Sequence, residues 1–130
     1  MAVSAERLAA ELAARLNEVV PTGCGVRSVG ALVLVDSVTG ERAASGAASI
    51  AEDEDGRDLG ERLEVAATAV LSGVQDTVAV VLAEPWPVAT GGAMALPDAV
   101  VETGMLQLRY LSDRRPVLEL PSIEVGTLSR

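Results

Sequence analysis

From Ser4 to Glu18 the apolar residues Leu8, Leu12 and Leu16 recur every four positions, with Val19 just beyond. That spacing predicts an amphipathic helix. Ser4 is suited to cap it, because its hydroxyl oxygen can accept an orphan N–H of the first turn. Arg7, Glu11 and Arg15 form a charge ladder on another face. Pro21 and the run PTGCG end the helix.

Val26 to Asp36 reads as a strand whose second half, ALVLV, is continuously apolar. A continuous run indicates burial on both faces or a central position. Asp36, Ser37, Thr39 and Gly40 then supply turn formers. A return strand is expected over Arg42–Ala51, although its small residues pack little surface. Ala51 to Asp58 is an acidic loop. The helical period returns from Leu59 to Ala83 through Leu63, Ala66, Val70, Val74, Val78 and Val81. Asp58 caps this helix, with Glu61 three positions on, as in a capping box. A competing reading breaks the helix at Gln75–Asp76 and makes residues 77–83 a strand, because Gly73 and the β-branched residues disfavour helix.

Pro85 to Asp98 reads as a connection without an element of its own. Glu102 to Ser112 alternates as a half-buried strand. SDRRP is a turn, and a last strand starts at Pro116, with Pro121 requiring an edge position or a bulge. The order helix-strand-strand-helix-strand-strand predicts an α+β fold with a mostly antiparallel sheet and two helices on one face. The 130 residues are read as a single domain, 1–130. An outer sheet face kept apolar by Leu118, Leu120 and their neighbours would call for a second copy, hence a homodimer.

Composition narrows the chemistry. Hydrophobic residues make up 49% of the chain and aromatics 2%, so the core is aliphatic. The net charge is −9, which repels phosphate backbones and anionic head groups, so neither nucleic acid nor membrane is an expected partner. Every basic residue is Arg, which together with the abundant Ala, Val and Gly fits a bacterial genome rich in G and C. A lone cysteine, Cys24, allows no intrachain disulfide. The N-terminal stretch has charges where a secretory signal would be apolar, so a cytoplasmic location is expected. No uncharged run reaches 18 residues, so no spanning helix is expected.

The absence of His removes the commonest general base and metal ligand. Cys24 has only Arg27 as a close cation in sequence, which is poor support for a reactive thiolate. The acidic loop fails as a calcium loop, because Arg57 and Asp58 stand where an oxygen ligand and Gly belong. The glycines of TGGAM lack the spacing of a phosphate loop. No cofactor or metal is therefore expected.

Trp86 stands between Pro85 and Pro87, so its indole is held on a stiff segment. This suits a plug over the core, the favoured reading, or an anchor for a partner. Trp86, Met94, Leu118 and Leu120 are the candidate partner-binding residues. The leading expectation is a non-enzymatic cytoplasmic protein-binding module, an adaptor or chaperone-like protein with a protein partner. The second is a small-ligand-binding or regulatory domain with an aliphatic pocket between helices and sheet. In outline, the size, acidic pI and element order resemble the type III secretion chaperones. That resemblance implies an acidic homodimer that holds a partner chain, and no motif residue carries it.

Overall fold

The computed structural model describes residues 3–38, 42–45 and 58–129. Helix α1 (Ala5–Val19) precedes strands β1 (Cys24–Val29), β2 (Leu32–Ser37) and β3 (Arg42–Ser45). Helix α2 (Leu59–Leu82) precedes β4 (Leu96–Glu102), β5 (Met105–Ser112) and β6 (Arg115–Glu124). Short 3₁₀ turns lie at Thr90–Gly92 and Val125–Leu128. The strands form two antiparallel three-stranded meanders, β1-β2-β3 and β4-β5-β6. The α+β class and the antiparallel pairing are as the periodicity predicts, but the strands form two sheets where one sheet with both helices on one face was expected.

The strand divisions differ from the sequence reading. Val26–Asp36 is a hairpin and not one strand. Gly30, at φ +58°, opens a two-residue turn that pairs Val29 with Leu32. Type II′ hairpin turns take Gly at that position because a side chain resists positive φ there. Glu102 belongs to β4, and the turn Thr103–Gly104 separates it from β5. The second expected strand is present over Arg42–Ser45. Its remaining positions, and acidic-loop positions 51–57, lie outside the described residues.

Both helix starts follow their cap residues. The Ser4 hydroxyl accepts from the Arg7 N–H at 3.2 Å, and the Asp58 carboxylate accepts from Glu61 N–H at 2.8 Å. The helical reading of residues 77–82 holds, since α2 continues to Leu82. The Thr77 hydroxyl bonds to the Gly73 carbonyl at 3.0 Å, a helical back-bond open to a β-branched alcohol. Ala83 closes the helix in the left-handed conformation, φ 56°, and the Glu84 N–H returns to the Ala79 carbonyl at 3.2 Å.

The helices join the sheets at their edges. On α1, the Asn17 side-chain oxygen accepts from Val26 N–H of β1 at 3.0 Å. Arg15, two positions earlier and so on the other side of the helix, donates to the carbonyls of Pro121 (2.7 Å) and Ser122 (3.0 Å) on β6. The register of β5 against β6 slips between Leu106 and Leu108, a bulge at the Pro121 site. On α2, the Glu64 carboxylate accepts from Val101 N–H of β4 at 2.8 Å, while the helix also contacts β2 and β3. Leu8, Leu12 and Leu16 of α1 meet Leu63, Val70 and Leu71 of α2 in one core cluster with Val33, Val35, Leu106 and Leu108. The N-terminal segment is tied to the last turn, with Ser4 N–H donating to Leu128 C=O at 2.8 Å.

Candidate functional site: an apolar strip along the second helix

The two helices divide their polar residues differently. The outer face of α1 carries Glu6, Arg7, Glu11 and Arg15. From Val65 to Leu82, α2 has one charged residue, Asp76. Leu63, Ala66, Ala67, Val70, Leu71, Val74 and Val78 face the core. The remaining positions present a second face, where Val65, Ala69, Ala79 and Val80 stand among Thr68, Ser72 and Asp76. By length and composition this helix could cross a membrane, which the search for uncharged runs did not reveal. A helix apolar all round is normally covered on every side. Here one side faces the core and the other is partly open.

The chain after α2 returns alongside that open side. Gln75, the buried polar side chain of the helix, donates from its amide to the Ala95 carbonyl at 2.5 Å. Val88 and Met94 pair across the Thr90–Gly92 turn. Gly91 and Gly92 both have positive φ there, which their lack of a Cβ permits. Two shallow depressions result. One, of about 450 Å³, is lined by Asp76, Ala79, Val80, Glu84, Pro85 and Met94. The other, of about 470 Å³, is lined by Glu64, Val65, Thr68, Ala69, Ser72 and Pro97. Val80 is 71% exposed, Val88 68% and Met94 44%, whereas exposed Leu96 has the parity of Asp98 and lies on the outer face of the second sheet. Glu64 and Glu84 stand toward the two ends of the strip, Asp76 interrupts it between the depressions, and no basic residue lines either depression.

The four sequence candidates are not brought together. Trp86 is 8% exposed, and its ring meets Tyr110 edge-on with centroids 5.7 Å apart. It is the plug of the favoured reading, and the Trp86–Pro87 peptide is cis. Leu120 is buried and Leu118 half-buried, paired with Leu108 and Tyr110 on the core side of the sheet. The opposite face of that sheet carries an Asp98–Arg109 ion pair at 2.7 Å, with Glu119 opposite Arg109 in the register. The apolar outer face that would have called for a second copy is therefore polar at these positions. Met94 alone of the four lies exposed on the α2 strip. Val80 was missed, although the near-absence of charge over Val65–Leu82 was a readable signal for it.

Other chemistry is sparse. Cys24 opens β1, half-buried against the core. Among the described residues no three His, Cys, Asp or Glu side chains are grouped to hold a metal. Asp58, the end of the acidic loop, serves as a helix cap. A polar depression of about 300 Å³ lies at Gln107, Arg109, Glu119 and Ser122. The interior, where an aliphatic pocket was one expectation, is taken up by fully buried Leu8, Leu12, Leu63, Leu71 and Leu106. Burial, and secondarily the charge of Asp76, push the Tyr110 phenol far above its ordinary range. Its hydroxyl donates to the Leu71 carbonyl at 2.7 Å, so Tyr110 acts as a neutral structural donor.

No protein family, curated protein or solved structure matches this chain.

Proposed function

We propose that this chain is a non-enzymatic protein-binding module that works through the apolar strip on α2. The observation that carries the reading is the exposed pair Val80 and Met94, which line one depression on a helix already apolar on its core side. Contiguous exposed apolar side chains rimmed by polar ones are characteristic of interaction surfaces. The single cysteine and acidic charge fit a reducing, cytoplasmic setting. An adaptor or chaperone-like role, holding a partner chain, is the form of binding we favour.

The test is co-purification from the native host with wild-type chain and with the double variant Val80→Asp, Met94→Asp. Both side chains are exposed, so the variant keeps its fold and helical signal. The reading expects a stoichiometric partner with the wild type that the variant loses. Equal recovery with a folded variant would contradict it.

A further inference from the structure

We infer that the occupant of the α2 strip is a basic amphipathic helix of another protein. The inference rests on the strip being a binding surface and names what fits it. Three observations select this partner. The first is charge. Glu64, Asp76 and Glu84 rim the two depressions without a basic residue between them, on a chain of net charge −9. Arg or Lys flanking an apolar face would meet these carboxylates, and the long-range field would speed the encounter.

The second is shape. A partner strand would add to the outer edge of β4 by backbone hydrogen bonds. That edge is blocked, since Glu64 occupies the Val101 N–H, and Pro97, of the same parity along the strand, has none. The open surface is instead a helix face whose Val65, Ala69, Ser72, Ala79 and Val80 follow helical spacing. A second helix packs its ridges into such grooves. Glu64 to Glu84 spans about 30 Å along the axis, the length of a partner helix of about 20 residues.

The third observation disfavours a second copy. Two α2 helices paired antiparallel about residue 74 place Glu64 of each opposite Glu84 of the other. A parallel two-fold pair places Asp76 against Asp76. Either isologous arrangement brings like charges together.

The test uses a labelled 20-residue helical peptide with a leucine face flanked by arginines, and the same peptide with glutamates in their place. Binding to the whole chain is read by fluorescence anisotropy. The arginine peptide is expected to bind at least tenfold more tightly. Val80→Asp should weaken it at least tenfold even though the substitution adds negative charge, and Glu84→Arg should weaken it several-fold. Thermal melting of each variant confirms that it is folded. Equal binding of the two peptides would overturn the charge assignment and leave the strip as a binding surface. Unchanged or tighter binding by Val80→Asp would reduce the contact to general charge attraction and overturn the seat. Sedimentation of a dimer that Val80→Asp dissociates would assign the strip to a second copy. Binding to phosphatidylcholine vesicles in place of either peptide would assign it to a lipid surface. If the chain binds no peptide, vesicle or second copy, both this inference and the binding role of the strip fall.

Discussion

Trp86 and Tyr110 are the only aromatic residues in the chain, and they touch. The core is otherwise aliphatic, so this pair supplies its largest rings. Trp86 emission should therefore be blue-shifted and resistant to acrylamide. Red, easily quenched emission would show that the ring is in water. The buried phenol also gives alkaline stability a definite sign. Tyr110 in the unfolded chain ionises near pH 10, but its folded value is raised by burial and by Asp76. Its contribution is complete below pH 10. As pH rises further the unfolded state loses the proton first, and stability falls by about 1.4 kcal/mol per unit. Absorbance at 295 nm should thus rise together with loss of far-UV signal. A rise near pH 10 in a folded chain would contradict this. Ala83 carries a smaller strain, since Ala at φ 56° occupies a conformation suited to Gly. Ala83→Gly should stabilise the chain by about 0.5–1 kcal/mol, measured in urea. The plug role of Trp86 could be read from the sequence because two prolines fix its direction. Its partner could not, because a contact between residues 86 and 110 depends on how β5 packs against α2.

At the level of elements, capping and periodicity located both helices, down to the Ser4 and Asp58 caps. Strand boundaries were harder to read. ALVLV looks like one buried run, and only the conformation of Gly30 reveals the hairpin. β4 was hidden because LPDAVVE begins beside a proline and follows a connection rich in glycine. Pro97 is tolerated because β4 is an edge strand, hydrogen-bonded to β5 alone. The same edges explain why helix side chains are needed. Arg15 holds two successive carbonyls at the β6 bulge, which a regular strand would turn in opposite directions. Arg15→Ala should cost about 1–2 kcal/mol, seen as a lower urea midpoint with an unchanged slope. The β5–β6 turn, Asp113–Arg114, has positive φ at both positions, the type I′ pattern that favours Asp-Gly. Arg114→Gly should raise the melting temperature by a few degrees. A lower one would show that the Arg114 side chain contributes more than its backbone strain costs.

For the molecule as a whole, the helices are spacers between two small sheets, and each turns one face inward. α1 shows water a charged face, whereas α2 shows it an apolar one. That asymmetry is encoded in the sequence, where one charge in the 18 residues from Val65 to Leu82 sets α2 apart. It was not legible as a site, because helical periodicity identifies the core face and leaves the other face unassigned. Met94 could not be placed beside Val80 before the return of the chain along α2, fixed by Gln75 and Ala95, was known. The central claim is that this strip meets another protein. It is tested most directly by placing a photo-crosslinking amino acid, in the native host, at position 80, 94 or 119, the last on the polar face of the second sheet. The account predicts one discrete heavier adduct from positions 80 and 94 and none from 119. An adduct from 119 with none from 80 or 94 would contradict it.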